Sequence, residues 1–150
     1  PSVNTQPVVI AQALKDAGFN VELHAMDWQT VVTRRAVQSP PKEGGWNIFA
    51  TNNVMAEAFD PLRSFGVAAN GQGAWFGWPT NDEIERLRLE FSRESDLEKR
   101  QQLASSIQKL VIEDGVMLPM GQYYVPGAYS DKLSGMLESP VPVFWNIEKR

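Results

Sequence analysis

The stretch TNDEIERLRLEFSRESDLEKRQQLASSIQKLVIEDGVMLPMGQYYV, residues 80–125, decides how this chain folds. Thr80-Asn81-Asp82-Glu83 fits a capping box, in which a short polar side chain and a glutamate satisfy the free amides at a helix start. Ile84, Leu87 and Phe91 then recur at helical spacing. Ser95-Asp96-Leu97-Glu98 repeats the box, and Leu103, Ile107, Leu110 and Val111 make the apolar stripe of a second helix that Gly115 ends. Val116 to Val125, with Leu118, Met120 and Tyr124, reads as a strand. Ser105-Ser106 lies inside the second helix, away from any base. Two capped helices and an apolar strand, with nothing nearby to make or break bonds, point to a rigid α/β binding lobe rather than an enzyme.

Toward the N-terminus the same alternation continues. Val8 to Ala17 is a helix whose Ile10, Leu14 and Ala17 share a face, and Gly18 suits a left-handed C-terminal cap. Phe19, Val21, Leu23 and Ala25 alternate with Asn20, Glu22 and His24, the period of a strand. Asp27 is placed to cap the next helix, along which Trp28, Val31, Val32 and Ala36 recur. Ser39-Pro40-Pro41-Lys42-Glu43-Gly44-Gly45 is a loop, and Trp46 to Thr51 is a short buried strand. Helix, strand and helix in close order imply a mostly parallel sheet with crossover helices.

Residues 52–79 are irregular and rich in glycine, proline and aromatics, and loops this long inside compact domains are often functional. Trp75-Phe76-Gly77-Trp78 allows two readings: core packing, or an aromatic wall that stacks on a ligand. Thr51, Asn52 and Asn53 follow a strand directly, where open α/β sheets bind ligands, and amides there donate and accept without a charge cost. Ordinary turn chemistry also favours asparagine at that place. Asp60-Pro61 has the form of a turn start in which the carboxylate folds back onto the backbone. Glu57, three residues earlier, could pair with Asp60 as acid and base only if something fixed their separation.

The totals exclude several classes. Among 150 residues there is no cysteine, which rules out disulfides, thiolate metal sites and cysteine nucleophiles, and His24 is the only histidine. No metal set or cofactor motif is expected, and no G-x-S-x-G or P-loop occurs. A net charge of −4 without a basic block argues against a nucleic-acid surface. No apolar run approaches the roughly 18 residues of a membrane span. The chain opens on Pro1-Ser2-Val3-Asn4. We read it as a piece of a longer protein whose targeting segment would lie upstream.

These residues in order resemble a known family. Ala17-Gly18-Phe19-Asn20-Val21-Glu22-Leu23, Asp27-Trp28, Trp46-Asn47-Ile48-Phe49, Asp60-Pro61, the two capped helices and Met117-Leu118-Pro119-Met120-Gly121-Gln122 together are similar to the C-terminal lobe of family 5 extracellular solute-binding proteins. These are the dipeptide, oligopeptide and nickel receptors of ABC importers. The likeness runs from about Val8 to Trp145.

The resemblance implies a periplasmic-binding-protein-like lobe II, with a mixed, mostly parallel sheet flanked by helices. Residues 1–120 would be the ligand-binding lobe and 121–150 a segment returning to an N-terminal lobe. The ligand would sit in a cleft between lobes, gripped by Thr51, Asn52, Asn53, Glu57, Trp75 and Phe76, and be delivered to a membrane permease. The protein would work in the periplasm or outside the cell, free or lipid-anchored. Peptide-binding relatives hold the ligand's amino terminus with an aspartate before the Asp-Pro turn. Here Thr51-Asn52-Asn53-Val54-Met55-Ala56-Glu57 has none, so an oligosaccharide or other neutral polar solute suits the site as well as a peptide does. Val143-Phe144-Trp145 would be an apolar patch open to self-association. Two other classes use the same residues: a solute-sensing domain of a regulator, and a hydrolase working through Glu57 or Asp60.

Overall fold

A computed structural model describes residues 2–150. Among the described residues five α-helices succeed one another: α1 (Ser2–Asp16), α2 (Trp28–Arg34), α3 (Met55–Ala58), α4 (Asp82–Arg93) and α5 (Leu97–Glu113). Single 3-10 turns occur at Pro41–Glu43, Phe65–Val67 and Gly71–Gly73. Two short strands, β1 (Leu133–Ser134) and β2 (Glu148–Lys149), pair antiparallel, with Leu133 opposite Lys149.

The core is the α4–α5 hairpin closed by the loop that precedes it. Ile84, Leu87 and Phe91 of α4 face Ile107 and Val111 of α5, and Val67 and Ala69 seal them from the loop. Leu103, Ala104, Leu110, Val116 and Met117 pack around the rim. Both helical stripes read from the sequence are therefore the core faces.

The caps sit one residue later than the sequence suggested. Asn81, rather than Thr80, caps α4, accepting from the amides of Glu83 and Ile84, each at 3.0 Å. Thr80 instead bridges to Asn70 as extended backbone. Asp96, rather than Ser95, caps α5 through the Lys99 amide at 2.9 Å. In both cases the residue directly before the first helical turn is the one whose side-chain oxygen reaches the free amides. Asp27 caps α2 as expected, accepting from the Thr30 amide at 3.0 Å. The α1 and α5 ends also follow expectation: Gly18 and Gly115 are left-handed, at φ 92° and 67°, a region glycine enters without a Cβ penalty.

The expected mixed, mostly parallel sheet does not form among the described residues. Residues 19–27, 46–51 and 116–125 are irregular. No backbone–backbone hydrogen bond joins any of them to another. A strand exists only when a neighbour supplies its ladder, so an alternating pattern with no partner alongside stays unpaired. Phe19, Leu23, Ile48, Leu118 and Tyr124 are accordingly exposed. The expected helices are thus present, while the only strands among the described residues are the β1–β2 pair.

One half-buried network fastens the middle loop to the core. Glu85 accepts the Ala69 amide at 2.7 Å and pairs with Arg88 Nη1 at 2.7 Å. Arg88 Nε donates to the Pro61 carbonyl at 3.1 Å. Asp60 in turn accepts the Leu62 amide at 2.7 Å, the turn expected of Asp60-Pro61. The segment that leads to the aromatic residues is thus held at both ends by α4.

Candidate functional site

Six aromatic rings gather where residues 46–49 meet the 65–78 loop. Trp46 stands edge-on to Phe49 at 4.7 Å between centroids. Phe49 meets Trp75 at 5.6 Å and Phe76 at 6.4 Å. Trp75 and Phe76 lie 5.3 Å apart, Phe65 closes on Trp75, and Trp78 meets Phe76 edge-on. These T-shaped and tilted contacts suit the ring quadrupoles. Trp75, Phe76 and Trp78 are all half-buried, so the cluster is neither a sealed core nor a bare wall.

The backbone at the cluster is under strain. Trp78 sits at φ 47°, the left-handed region that a bulky side chain enters at a cost of about 1–3 kcal/mol. Its amide donates to the Trp75 carbonyl at 2.9 Å, and the Asn70–Thr80 bridge pins the loop just beyond it.

A cation lying over two of these rings was not singled out by the sequence. The Arg35 guanidinium carbon lies 4.6 Å from the Phe76 ring centroid, 5.3 Å from that of Trp75 and 5.7 Å from that of Trp28. Each such contact contributes about 0.5–2 kcal/mol according to its desolvation. Arg35 is the C-terminal cap residue of α2, and its carbonyl accepts the Trp46 indole N–H at 3.0 Å. The Arg35 Nε is buried with no hydrogen-bond partner. A buried donor left unmatched costs about 1–3 kcal/mol. The only sequence signal was a pair of arginines closing a helix ahead of an aromatic loop, which does not say which arginine turns inward.

Its neighbour Arg34 does different work. Arg34 Nη2 donates to the Gly45 carbonyl at 2.8 Å, Nε reaches the Gly44 carbonyl at 3.1 Å, and Nη1 reaches His24 Nδ1 at 3.0 Å. Arginine has only donors, so His24 Nδ1 accepts, and its Nε2 N–H is left to meet Glu22 at 2.8 Å. His24 is thereby a surface side chain with partners on both nitrogens.

The expected site residues divide into two groups. Trp75 and Phe76 are together in the cluster, and Phe49 brings the chain to within two residues of Thr51. Thr51 and Asn52 are half-buried, while Asn53 and Glu57 are exposed. No side-chain hydrogen bond engages any of these four among the described residues. Glu57 lies on α3 and makes no ion pair among the described residues, while the Asp60 carboxylate is turned to the Leu62 amide. Two shallow depressions, of about 300 Å3 beside Leu89 and about 350 Å3 beside Thr33, include none of the six clustered aromatics in their lining. Among the described residues no three His, Asp or Glu side chains converge on a metal position. None of the helices there is long and apolar enough to cross a membrane.

No protein-family profile matches the chain. The chain is 38% identical over 141 residues to a protein of Sinorhizobium fredii (strain NBRC 101917 / NGR234) named "Probable peptide ABC transporter periplasmic-binding protein y4tO". The similarity covers 94% of this chain and 27% of that relative. The chain therefore spans about a quarter of the protein it resembles.

Proposed function

We propose that this chain is one ligand-gripping lobe of a solute-binding receptor that serves an ABC-type importer. The observation that carries the reading is the 38% identity, sustained over nearly the whole chain, to a part of a protein named as a periplasmic-binding protein of such a system. The half-buried aromatic cluster, fed by Phe49 from the Thr51–Asn53 segment, supports a wall facing solute. Residues 1–120 form the lobe, and 121–150, exposed for most of their length, return toward a second lobe.

In this reading the solute, a peptide, oligosaccharide or similar molecule, is enclosed when two lobes close by hinge motion. Trp75 and Phe76 stack against it, and Thr51, Asn52, Asn53 and Glu57 supply polar contacts. Binding and release are the whole task, without a covalent step. The protein acts in the periplasm or at the outer cell surface, free or lipid-anchored, and docks on a membrane permease. Phe144 and Trp145, 70% and 86% exposed, form the patch that meets the second lobe or, in its absence, another copy.

Native mass spectrometry of the full-length protein, isolated from its own cells, tests this. A small solute should be released on denaturation, and deleting the gene should abolish uptake of that solute. Unchanged uptake would overturn the reading.

A further inference from the structure

Four arginines in this chain are half-buried: Arg34, Arg35, Arg88 and Arg100. Three of them spend their donors within the protein. Arg34 reaches the Gly44 and Gly45 carbonyls, Arg88 pairs with Glu85, and Arg100 donates to the Phe91 and Glu94 carbonyls. Arg35 has neither an ion pair nor a side-chain hydrogen bond among the described residues, and its Nε is buried. Rings of Trp28, Trp75 and Phe76 lie over its guanidinium carbon instead.

We infer that Arg35 is an anion-recognition residue that takes a carboxylate of the solute. Aromatic rings hold the Arg35 guanidinium by its face and its Nε is buried, so what remains for a partner is the outer edge formed by Nη1 and Nη2, whose N–H donors lie in one plane. A carboxylate, planar and with two oxygens, matches that fork in a bidentate pair. The rings also hold the fork in place before the solute arrives, which lowers the ordering cost of binding. The cation already lies over Trp75 and Phe76, so those rings present an acid receptor rather than a bare stacking surface for a neutral sugar. The inference deepens the receptor reading and rests on it only for the identity of the face that meets solute.

The test is a titration of the ¹⁵N-labelled full-length protein, in which both lobes can close on the solute, following the Arg35 Nε–H resonance and tryptophan fluorescence. The probes are dialanine, dialanine amide, gluconate, inorganic phosphate and maltose. Dialanine and gluconate separate a peptide carboxylate from that of a non-peptide acid. At least one of the two should shift the Arg35 resonance saturably, while dialanine amide and maltose leave it in place. Arg35→Gln should weaken the responding carboxylate at least tenfold, and Arg35→Lys, which keeps the charge but not the fork, should recover only part of the loss. An Arg35 resonance indifferent to both carboxylates, an equal response to the amide, or phosphate binding tenfold tighter than either acid would each overturn the inference. The wild-type titration decides even if a variant fails to fold. If maltose proves to be carried by the full-length receptor while Arg35 stays silent, the carboxylate site falls and the importer reading stands. If a carboxylate binds at Arg35 and gene deletion leaves uptake intact, the reverse holds.

Discussion

The Trp46 indole N–H donates to the backbone carbonyl of Arg35 across 3.0 Å, tying the end of α2 to the segment that carries Phe49 into the aromatic cluster. The same residue that offers its side chain to three rings is thus anchored by its main chain. Trp46→Phe removes the hydrogen bond and keeps an aromatic edge against Phe49. We expect a loss of about 1 kcal/mol in urea unfolding, the usual net contribution of one such bond. An unchanged midpoint would show that the Arg35 carbonyl finds water instead.

The placement of the α4 cap gives a second expectation. Asn81→Ala strips the acceptor from two amides and the donor that meets Asp114 beyond the end of α5. It should cost about 1–2 kcal/mol, and Thr80→Ala should cost much less. Chemical denaturation of the two variants side by side decides which residue is the cap.

The core is small, so its members should matter individually. Ile107 is 2% exposed, and Ile107→Ala should cost about 2–5 kcal/mol by transfer and cavity terms. Leu97, on the same helix but 70% exposed, should tolerate alanine within about 0.5 kcal/mol. Similar losses at both sites would mean that the α4–α5 interface is not the structural centre.

Glu85 ties the loop to the core by the Ala69 amide and by Arg88, with its side chain 29% exposed. Glu85→Ala leaves the buried Ala69 amide without its acceptor and Arg88 with the Pro61 carbonyl alone, at about 1.5–3 kcal/mol. Hydrogen exchange should show the Ala69 amide, and residues 60–70 with it, opening before α4 itself.

Acid should weaken two exposed helix starts. The Thr30 hydroxyl, at 2.5 Å, and then the Thr30 amide hold the Asp27 carboxyl below the usual carboxylate range. The Arg86 hydrogen bond does the same for Glu83. A carboxyl whose folded pKa is lowered contributes stability above its unfolded value, about 4, and that contribution fades as pH falls through the folded value. Carbonyl ¹³C titration of Asp27 should show a midpoint below that of an ordinary aspartate, and Thr30→Val should move it upward. No movement would remove the hydroxyl as the cause.

The sequence determined the elements whose interactions are local. Ile84, Leu87 and Phe91 repeat at helical spacing, Asp27 and Asp60 reach amides two or three residues on, and Gly115 must be left-handed to end α5. Such contacts depend on residues a turn away, so their pattern survives in the linear chain. The capping boxes fell one residue short because either of two adjacent polar side chains can serve, and the path of the preceding loop chooses.

Tertiary structure alone decided the rest. Phe19 to Ala25 alternates as a strand should, yet a ladder depends on a neighbour that no local pattern names. Trp75 and Phe76 were legible as a candidate wall, but Arg35, separated from them by some forty positions, was not. A cation meets a ring face only when two distant segments are brought together, and Trp46 and Phe49 are what bring them. Periodicity and capping therefore wrote the helices, and long-range packing wrote the aromatic cluster with Arg35 and left the expected strands unpaired among the described residues.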